Sequence, residues 1–179
     1  MKSFKFRCIV GINGAIIIIL LYIRMVGQMK IGAVILVTGV GIPDEEMEKF
    51  LEMKRPTIFE QMIVSYQRAG VADIALVTRD GMADKIEQTL HRRGVTFLDI
   101  ESDSFELAVL KGLSYLSDTC ERIFVGDIRF PFFQPDILLM MQKRQAELLG
   151  AVYGGMFGDL ICTSQACARN ICKKTGTTD

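Results

Sequence analysis

Two features of the 179-residue sequence predict an α/β protein with a three-layer, doubly wound and mostly parallel sheet, a Rossmann-like architecture. The first is the run from Ile31 to Val37 (IGAVILV), which has no polar side chain and is typical of a strand buried on both faces. The second is the alternation of such runs with amphipathic segments of about 10–15 residues, which is the pattern of strands joined by right-handed crossover helices.

Helices are predicted from apolar spacing and from signals at their ends. Pro56 fits the first turn of a helix, Gly70 fits a C-terminal cap, and apolar residues recur between them at helical spacing. A second helix is predicted to end with the cations of residues 91–93 before Gly94, which places the sole histidine, His91, on a solvated helix end. The predicted helices cover residues 56–69, 82–93, 105–116, 136–143 and 165–174.

Further strands are predicted where short apolar runs lie between these helices. They cover residues 73–78, 95–98, 122–125, 150–153 and 160–163. An acidic loop is predicted over residues 99–103, and the strand at 122–125 leads directly into Gly126 and Asp127. The last two strands are brief and are separated by Gly154-Gly155, a turn signal.

Composition limits the class of protein. The chain has 21 basic and 21 acidic residues and a pI near 6.6, which argues against a general nucleic-acid-binding protein. Five cysteines, an odd number without a disulfide-scaffold composition, indicate a reducing compartment. The last three, Cys162, Cys167 and Cys172, match no zinc spacing and would not share one face of a helix.

Residues 1–28 differ from the remainder of the chain, which we treat as one domain over residues 29–179. A basic start precedes a sixteen-residue apolar run from Cys8 to Ile23, shorter than the roughly 20 residues that span a bilayer. The segment is interpreted as a translated upstream extension before Met29, with a membrane anchor or a cleaved signal peptide as alternatives. Membrane contact is expected only if residues 8–23 act as an anchor.

Candidate site residues follow two of the predicted strands. Gly39 and Gly41 form a turn after the first strand, Lys49 lies a short distance further on, and Asp127 ends the strand that begins at residue 122. Both strand ends belong to the carboxyl edge of a doubly wound sheet, so these residues can converge. Glycines let backbone N–H groups approach phosphates, a lysine supplies charge, and an aspartate can hold Mg²⁺. This set suffices for phosphoryl or nucleotidyl transfer.

Other interpretations of the same residues remain open. Gly-x-Gly after a strand can also begin a dinucleotide site, but the third glycine is missing and Thr78-Arg79 stand where an acid would follow the second strand. The Walker pattern is absent. Asp127 could simply cap the turn that follows it.

The order of these pieces, over residues 30 to about 164, resembles the MobA-like nucleotidyltransferases. AVILVTGVG is similar to that family's first-strand motif, AVILAAGxGxRMG, and KFLEMKRPTIFEQMI is similar to its lysine-containing segment. AGVADIALVT resembles the second-strand region, and SFELAVLKGLSYL with ERIFVGDIRFPFFQPDIL resembles the helix and strand that end in the metal-binding aspartate. The resemblance implies that Gly39, Gly41 and Lys49 contact the triphosphate, that Lys49 and Asp127 are catalytic, and that Asp127 binds Mg²⁺.

The chain also departs from the family's pattern. Acids occupy positions 44–46, where the family has an arginine after its glycine turn. Glu48 replaces the proline before the key lysine, and Ala108 replaces a small polar residue. The resemblance further implies a final acidic segment and a closing helix near the point where this sequence ends, so the domain is expected to be diverged and C-terminally truncated.

These observations predict a cytoplasmic, Mg²⁺-dependent nucleotidyltransferase. It would transfer an NMP from CTP or GTP to a phosphorylated acceptor, such as a molybdopterin-type cofactor or a sugar phosphate, and release pyrophosphate. The alternative is an inactive domain of the same fold that binds a nucleotide or a partner. Acceptor choice is assigned to residues 130–159, and the apolar run Phe130 to Phe133 is a candidate exposed patch. The oligomeric state is left open.

Overall fold

The computed structural model describes residues 29–37, 57–79, 81–90, 94–102, 104–131, 133–153 and 155–175. Residues 1–28 lie outside these ranges, and so do the predicted site residues Gly39, Gly41 and Lys49. The described strands and helices alternate in this order: β1 Ile31–Val37, α1 Ile58–Arg68, β2 Asp73–Arg79, α2 Ala83–Thr89, β3 Val95–Ile100, α3 Phe105–Leu116, β4 Arg122–Asp127, α4 Pro135–Gln142, β5 Leu148–Tyr153, β6 Met156–Ser164 and α5 Gln165–Lys174.

The strands form one six-stranded sheet in the order β3-β2-β1-β4-β6-β5. Strands β1 to β4 are mutually parallel, whereas β6 runs antiparallel to β4 and pairs with β5 in an antiparallel hairpin. The chain builds outward in one direction through β2 and β3, and then returns to the other side of β1 to form β4. The mostly parallel, doubly wound sheet predicted from the sequence is therefore confirmed, and its switch point lies between β1 and β4.

Two apolar cores, one on each face of the sheet, make the molecule three-layered. In β1, Ala33, Ile35 and Val37 face the core formed with α1, α2 and α4, while Val34 and Leu36 face the core formed with α3 and α5. All residues of β1 are buried. This burial on both faces explains why the strand lacks the polar alternation of a half-exposed strand.

The helix starts are fixed by side-chain caps. Helix α1 begins with a capping box, in which Thr57 Oγ1 accepts a hydrogen bond from the Glu60 N–H at 3.2 Å and the Thr57 N–H donates to Glu60 Oε2 at 2.9 Å. Ser104 and Ser164 cap α3 and α5 through their hydroxyl oxygens. The capping box moves the first helical residue to Ile58, two positions after the predicted start at Pro56.

Helix α2 and strands β3, β5 and β6 also depart from their sequence-based boundaries. Helix α2 ends at Thr89, because Leu90 adopts an extended backbone and turns its side chain into the core. Strand β3 continues to Ile100, so Asp99 belongs to the strand rather than to an acidic loop. Strands β5 and β6 are longer than predicted because they pair with each other around Gly155, whose φ of +81° suits a tight turn.

The last three cysteines lie on two different elements. Cys162 is in β6, while Cys167 and Cys172 are in α5. In the described part of the chain, no three His, Cys, Asp or Glu side chains are grouped so as to hold a metal ion. Over the same residues, no helix has the length and apolar character that crossing a membrane requires.

Candidate functional site

The switch point brings Asp127 beside the end of β1. Leu36 is the register partner of Asp127, and the Ile128 N–H donates to the Leu36 carbonyl at 3.0 Å. Val37, the next residue of β1, is directly followed in the chain by the segment that carries Gly39, Gly41 and Lys49. Asp127 therefore occupies the position in the fold where open α/β sheets bind ligands.

Asp127 begins a tight turn and is held by Arg129. The Phe130 N–H donates to the Asp127 carbonyl at 3.0 Å, which closes the turn. Asp127 Oδ1 accepts hydrogen bonds from the Arg129 N–H at 2.8 Å and from Arg129 Nε at 2.9 Å. Asp127 Oδ2 accepts a third bond, from an Arg129 terminal nitrogen at 2.8 Å. The carboxylate thus does cap the turn, as the alternative interpretation predicted, and it also pairs with a guanidinium in a two-pronged contact.

The two partners differ in exposure. The Asp127 side chain is 2% exposed and the Arg129 side chain is 37% exposed. The hydrogen bond that Arg129 donates to Asp127 raises the pKa of the guanidinium above its ordinary value, burial lowers this pKa, and the negative charges of Asp127 and Asp159 raise it further. A third charged group, Asp159 of β6, is therefore within electrostatic range of the pair. The site consists of a fixed buried carboxylate and a cation that reaches it from the surface.

Tyr66 packs against the end of β4 at Gly126. A Cβ placed on Gly126 would lie 2.6 Å from the Tyr66 hydroxyl, so only glycine fits there. Tyr66 is fully buried against Phe124 and Phe133, and among the described residues its hydroxyl has no hydrogen-bond partner. Burial strongly raises the pKa of the phenol, with a smaller contribution from Cys162. The close contact between Gly126 and Tyr66 thus fixes the position of the strand end that carries Asp127.

Thr78 marks the carboxyl end of β2, where a dinucleotide-binding protein would carry an acid. Its side chain is fully buried, and its hydroxyl has no partner among the residues that the structure describes. At the N-terminus of α1, the capping box already satisfies the backbone N–H groups of Thr57 and Glu60. Of the four site residues that the sequence predicts at this edge, the described residues include Asp127 alone, and the roles of Gly39, Gly41 and Lys49 stay predictions.

A Mg²⁺ ion does not fit Asp127 in the arrangement described. A carboxylate has about four acceptor positions, and Arg129 occupies three of them. The guanidinium also places a positive charge where a divalent cation would bind. The carboxylate is a suitable ligand for Mg²⁺, but only once the guanidinium has moved away. The predicted role of Asp127 as a metal ligand therefore depends on Arg129.

Sequence reasoning missed Arg129 and Arg122. The Asp-x-Arg spacing of residues 127–129 could have indicated the first, because an arginine two positions after a turn-initiating aspartate can fold back onto it. Arg122, at the other end of β4, gave no such signal. Its guanidinium is buried and donates to the carbonyls of Ala146 at 2.7 Å and Met141 at 3.3 Å.

The segment assigned to acceptor choice contains an apolar groove of about 380 Å³ between α4 and the β5–β6 hairpin. It is lined by Ile137, Met140, Met141, Arg144, Leu149, Gly150, Ala151, Val152 and Gly158. The predicted exposed patch at residues 130–133 is only partly present. Phe130 is exposed, but Phe133 packs on Tyr66 with ring centroids 4.9 Å apart, and Phe132 lies outside the described residues.

Several solved structures share this fold, and nucleotidyltransferases are among them. Rv0371c from Mycobacterium tuberculosis, also solved in complex with manganese, is 17% identical at a TM-score of 0.66, over 82% of this chain and 77% of that chain. The 4-diphosphocytidyl-2C-methyl-D-erythritol synthase from Anaerococcus prevotii is 16% identical at a TM-score of 0.63, over 84% and 77% of the two chains. A nucleotidyl transferase from Methanothermobacter is 17% identical at a TM-score of 0.60, over 80% and 75%.

Sequence comparisons add nothing to this structural likeness. No family model matches the chain, and no curated protein matches it by sequence. At identities of 15 to 17%, the likeness establishes the fold alone. The chain has a nucleotidyltransferase fold, and the MobA-like subfamily suggested by its motifs stays a proposal.

Proposed function

We propose that this chain is a MobA-like nucleotidyltransferase that transfers an NMP from CTP or GTP to a phosphorylated acceptor. In this reaction an acceptor oxygen attacks the α-phosphorus of the NTP, the bond to the β-phosphate oxygen breaks, and pyrophosphate leaves. The observation that supports the proposal is the buried carboxylate of Asp127, next to the end of β1 at the switch point of a nucleotidyltransferase fold. Ligands of doubly wound sheets bind at this point.

The proposed roles follow from the chemistry of the residues. The turn at Gly39 and Gly41 would hold the triphosphate through backbone N–H groups, and Lys49 would neutralise its charge. Once the Arg129 guanidinium has moved away, Asp127 would bind Mg²⁺, which when bound supplies charge neutralisation to the phosphates. Positioning and charge neutralisation account for most of the catalysis in reactions of this class, so these few groups are sufficient.

The test is pyrophosphate release by the full chain with each of the four NTPs and with molybdopterin-type and sugar-phosphate acceptors. Release is expected with CTP or GTP in the presence of an acceptor and Mg²⁺. Lys49→Ala should lower the rate by about 100-fold, a loss of the size seen when one transition-state contact is removed. The matched control is Lys173→Ala, which removes an exposed lysine from the last turn of α5 and should leave the rate unchanged. Equal activity of the wild type and Asp127→Ala would overturn the proposed mechanism.

A second candidate function is favoured by the contact between Asp127 and Arg129. Because the guanidinium already neutralises the carboxylate, the domain could bind a nucleotide or a protein partner without catalysis. The acids at positions 44–46 favour the same alternative. Calorimetry with Mg-CTP and Mg-GTP separates the two, since binding without pyrophosphate release supports the inactive domain. Absence of both binding and release would leave a partner-binding role.

We also propose where in the cell the protein acts and which partners it has. We place the activity in the cytoplasm, with the membrane involved only if residues 8–23 act as an anchor, and we assign no nucleic-acid partner. Fractionation of the full chain tests this, because exclusive recovery in the membrane fraction would support the anchor. An electrophoretic shift with DNA or RNA at physiological salt would contradict the absence of a nucleic-acid partner.

A further inference from the structure

The guanidinium of Arg129 occupies the position at Asp127 that a metal ion would need. Arg129 makes three short contacts with the carboxylate, between 2.8 and 2.9 Å, of which two come from the guanidinium and one from the backbone N–H. A two-pronged contact between a guanidinium and a carboxylate is among the stronger charge-assisted hydrogen bonds, and it is held in a fixed orientation. The free protein therefore presents Asp127 already neutralised.

The two partners are not equally fixed. Asp127 ends a buried strand and its side chain is 2% exposed, so it cannot turn towards another partner without leaving the sheet. Arg129 lies in the turn after the strand and its side chain is 37% exposed, so it can swing into solvent by rotation about its own bonds. The Arg129 N–H would continue to cap Asp127 Oδ1 after the guanidinium had left. The pair can open without disturbing the strand.

A departing guanidinium would also remain near negative charge. Asp159 is close enough to raise the pKa of Arg129. Under the proposed function, the phosphates of a nucleotide bound at the same edge would be a second and stronger attraction, because a guanidinium pairs well with phosphate oxygens. A free divalent cation brings no such anion with it.

Resting on the proposed function, we propose that Arg129 competes with the divalent metal for Asp127 and must be displaced before the metal binds. The free metal ion then binds weakly, because only the small fraction of molecules with an open pair is competent. A metal–nucleotide complex would bind better, because its phosphates offer the Arg129 guanidinium another partner and so leave the Asp127 carboxylate free to hold the metal. Arg129 is thus a positioning residue that makes metal binding depend on the nucleotide.

The test is calorimetric titration of the full chain with Mn²⁺ alone, without nucleotide. Arg129→Gln should bind Mn²⁺ about tenfold more tightly than the wild type, because the competing cation is gone. Arg129→Lys keeps the charge but loses the two-pronged contact, and it should also bind more tightly, by about threefold. The matched control is Arg68→Gln, which removes the same charge from the exposed last turn of α1 and should leave Mn²⁺ affinity unchanged.

Addition of a non-hydrolysable NTP gives a second readout. It should increase the Mn²⁺ affinity of the wild type by a larger factor than that of Arg129→Gln, because the variant has no guanidinium to displace. In addition, the Arg129 Nε–H signal in ¹⁵N spectra of the wild type should shift when Mg²⁺ and nucleotide are added together, and less with Mg²⁺ alone. This measurement needs no variant to fold.

The outcomes separate this inference from the proposed function. Equal Mn²⁺ affinity of the wild type, Arg129→Gln and Arg129→Lys would overturn the competition, while loss of binding in Asp127→Asn would still support a metal at Asp127. If Asp127→Asn bound Mn²⁺ as well as the wild type does, the assignment of the metal to Asp127 would be wrong, and the competition with it. Tight binding in Arg129→Gln but wild-type binding in Arg129→Lys would show a general charge effect and would also overturn the competition.

Discussion

Strand β4 carries a buried charge at each end, and the two charges are partnered in opposite ways. At the amino end, the Arg122 guanidinium donates to two backbone carbonyls. The carbonyl of Met141 belongs to the end of α4, and that of Ala146 belongs to the loop after it. At the carboxyl end, Asp127 is held by a side chain that is itself 37% exposed. Backbone partners cannot leave without unfolding their segment, whereas a surface guanidinium can.

Arg122 is therefore a structural charge, whereas Asp127 remains available to a ligand. Arg122 fastens β4 to α4 and leaves no room for a ligand, since the residue is 7% exposed. Asp127 is more deeply buried but has a replaceable partner. The four predictions on stability that follow concern the amino and carboxyl edges of the sheet, beginning with the largest expected loss.

Arg122→Met should destabilise the protein by about 3 kcal/mol, because it leaves two buried carbonyls without their donors. The free energy of unfolding from a denaturant titration measures this. Pyrophosphate release per folded molecule should stay at the wild-type level, since Arg122 lies at the opposite end of the strand from Asp127. A large loss of activity in folded Arg122→Met would contradict the structural role assigned to it.

Gly126→Ala should destabilise by about 2 kcal/mol, because a Cβ there meets the Tyr66 hydroxyl at 2.6 Å in a packed core. The other atoms near that Cβ are 3.8 Å away, so removal of the hydroxyl makes room for it. Tyr66→Phe should therefore restore most of the stability of Gly126→Ala. Strictly additive effects in this double-mutant cycle would contradict the contact.

Tyr66→Phe alone should be neutral or stabilising by about 1 kcal/mol, because the buried hydroxyl has no hydrogen-bond partner among the described residues. The substitution should also change the response to alkaline pH. Burial raises the pKa of Tyr66 in the folded state, so its contribution is complete below the unfolded pKa near 10 and is lost as pH rises above it. Between pH 10 and 11 the wild type should lose about 1 kcal/mol more than Tyr66→Phe. Parallel pH profiles would show that the phenol ionises freely in the folded protein.

Lys30→Met should have the smallest effect. Lys30 pairs with Asp73 at 2.8 Å at the amino edge of the sheet, but the side chains are 45% and 38% exposed. The hydrogen bond that Lys30 donates to Asp73 raises the pKa of Lys30, so any stabilisation is complete below the unfolded pKa and fades as pH rises through the folded one. Solvent weakens such pairs, and we expect no resolvable change in Tm at neutral pH. A clear decrease in Tm would show that solvent exposure does not determine how much such an ion pair contributes to stability.

The elements that the sequence predicted best are those whose burial pattern can be read from their own residues. Strand β1 and helix α3 have the predicted ends, because a continuous apolar run and a well-spaced apolar stripe need no knowledge of distant residues. The hairpin of β5 and β6 was predicted as two brief strands, because its full length depends on pairing across Gly155 and on β4. Helix α2 was predicted too long, because the burial of Leu90 is decided by the core.

The sequence predicted only those site residues whose place at the end of a strand can be recognised from their neighbours in the chain. Asp127 was found because it ends a strand, and the sheet confirms that it lies beside the end of β1. Arg129 was missed because the Asp-x-Arg spacing indicates only that a contact is possible, while its two-pronged geometry and the exposure of the arginine are properties of the folded structure. The hydroxyl of Tyr66 was missed because a lack of partners is a property of packing.

The most direct test of the account compares two aspartates at opposite edges of the sheet. Asp127 and Asp73 each pair with a cation, and Asp73 lies at the amino end of β2. Pyrophosphate release should decrease by about 100-fold or more in Asp127→Asn, because the proposed charge at the reaction site is removed, and by less than about twofold in Asp73→Asn. Equal rates in the two folded variants would contradict the claim that the carboxyl end of β4 is the site of the reaction.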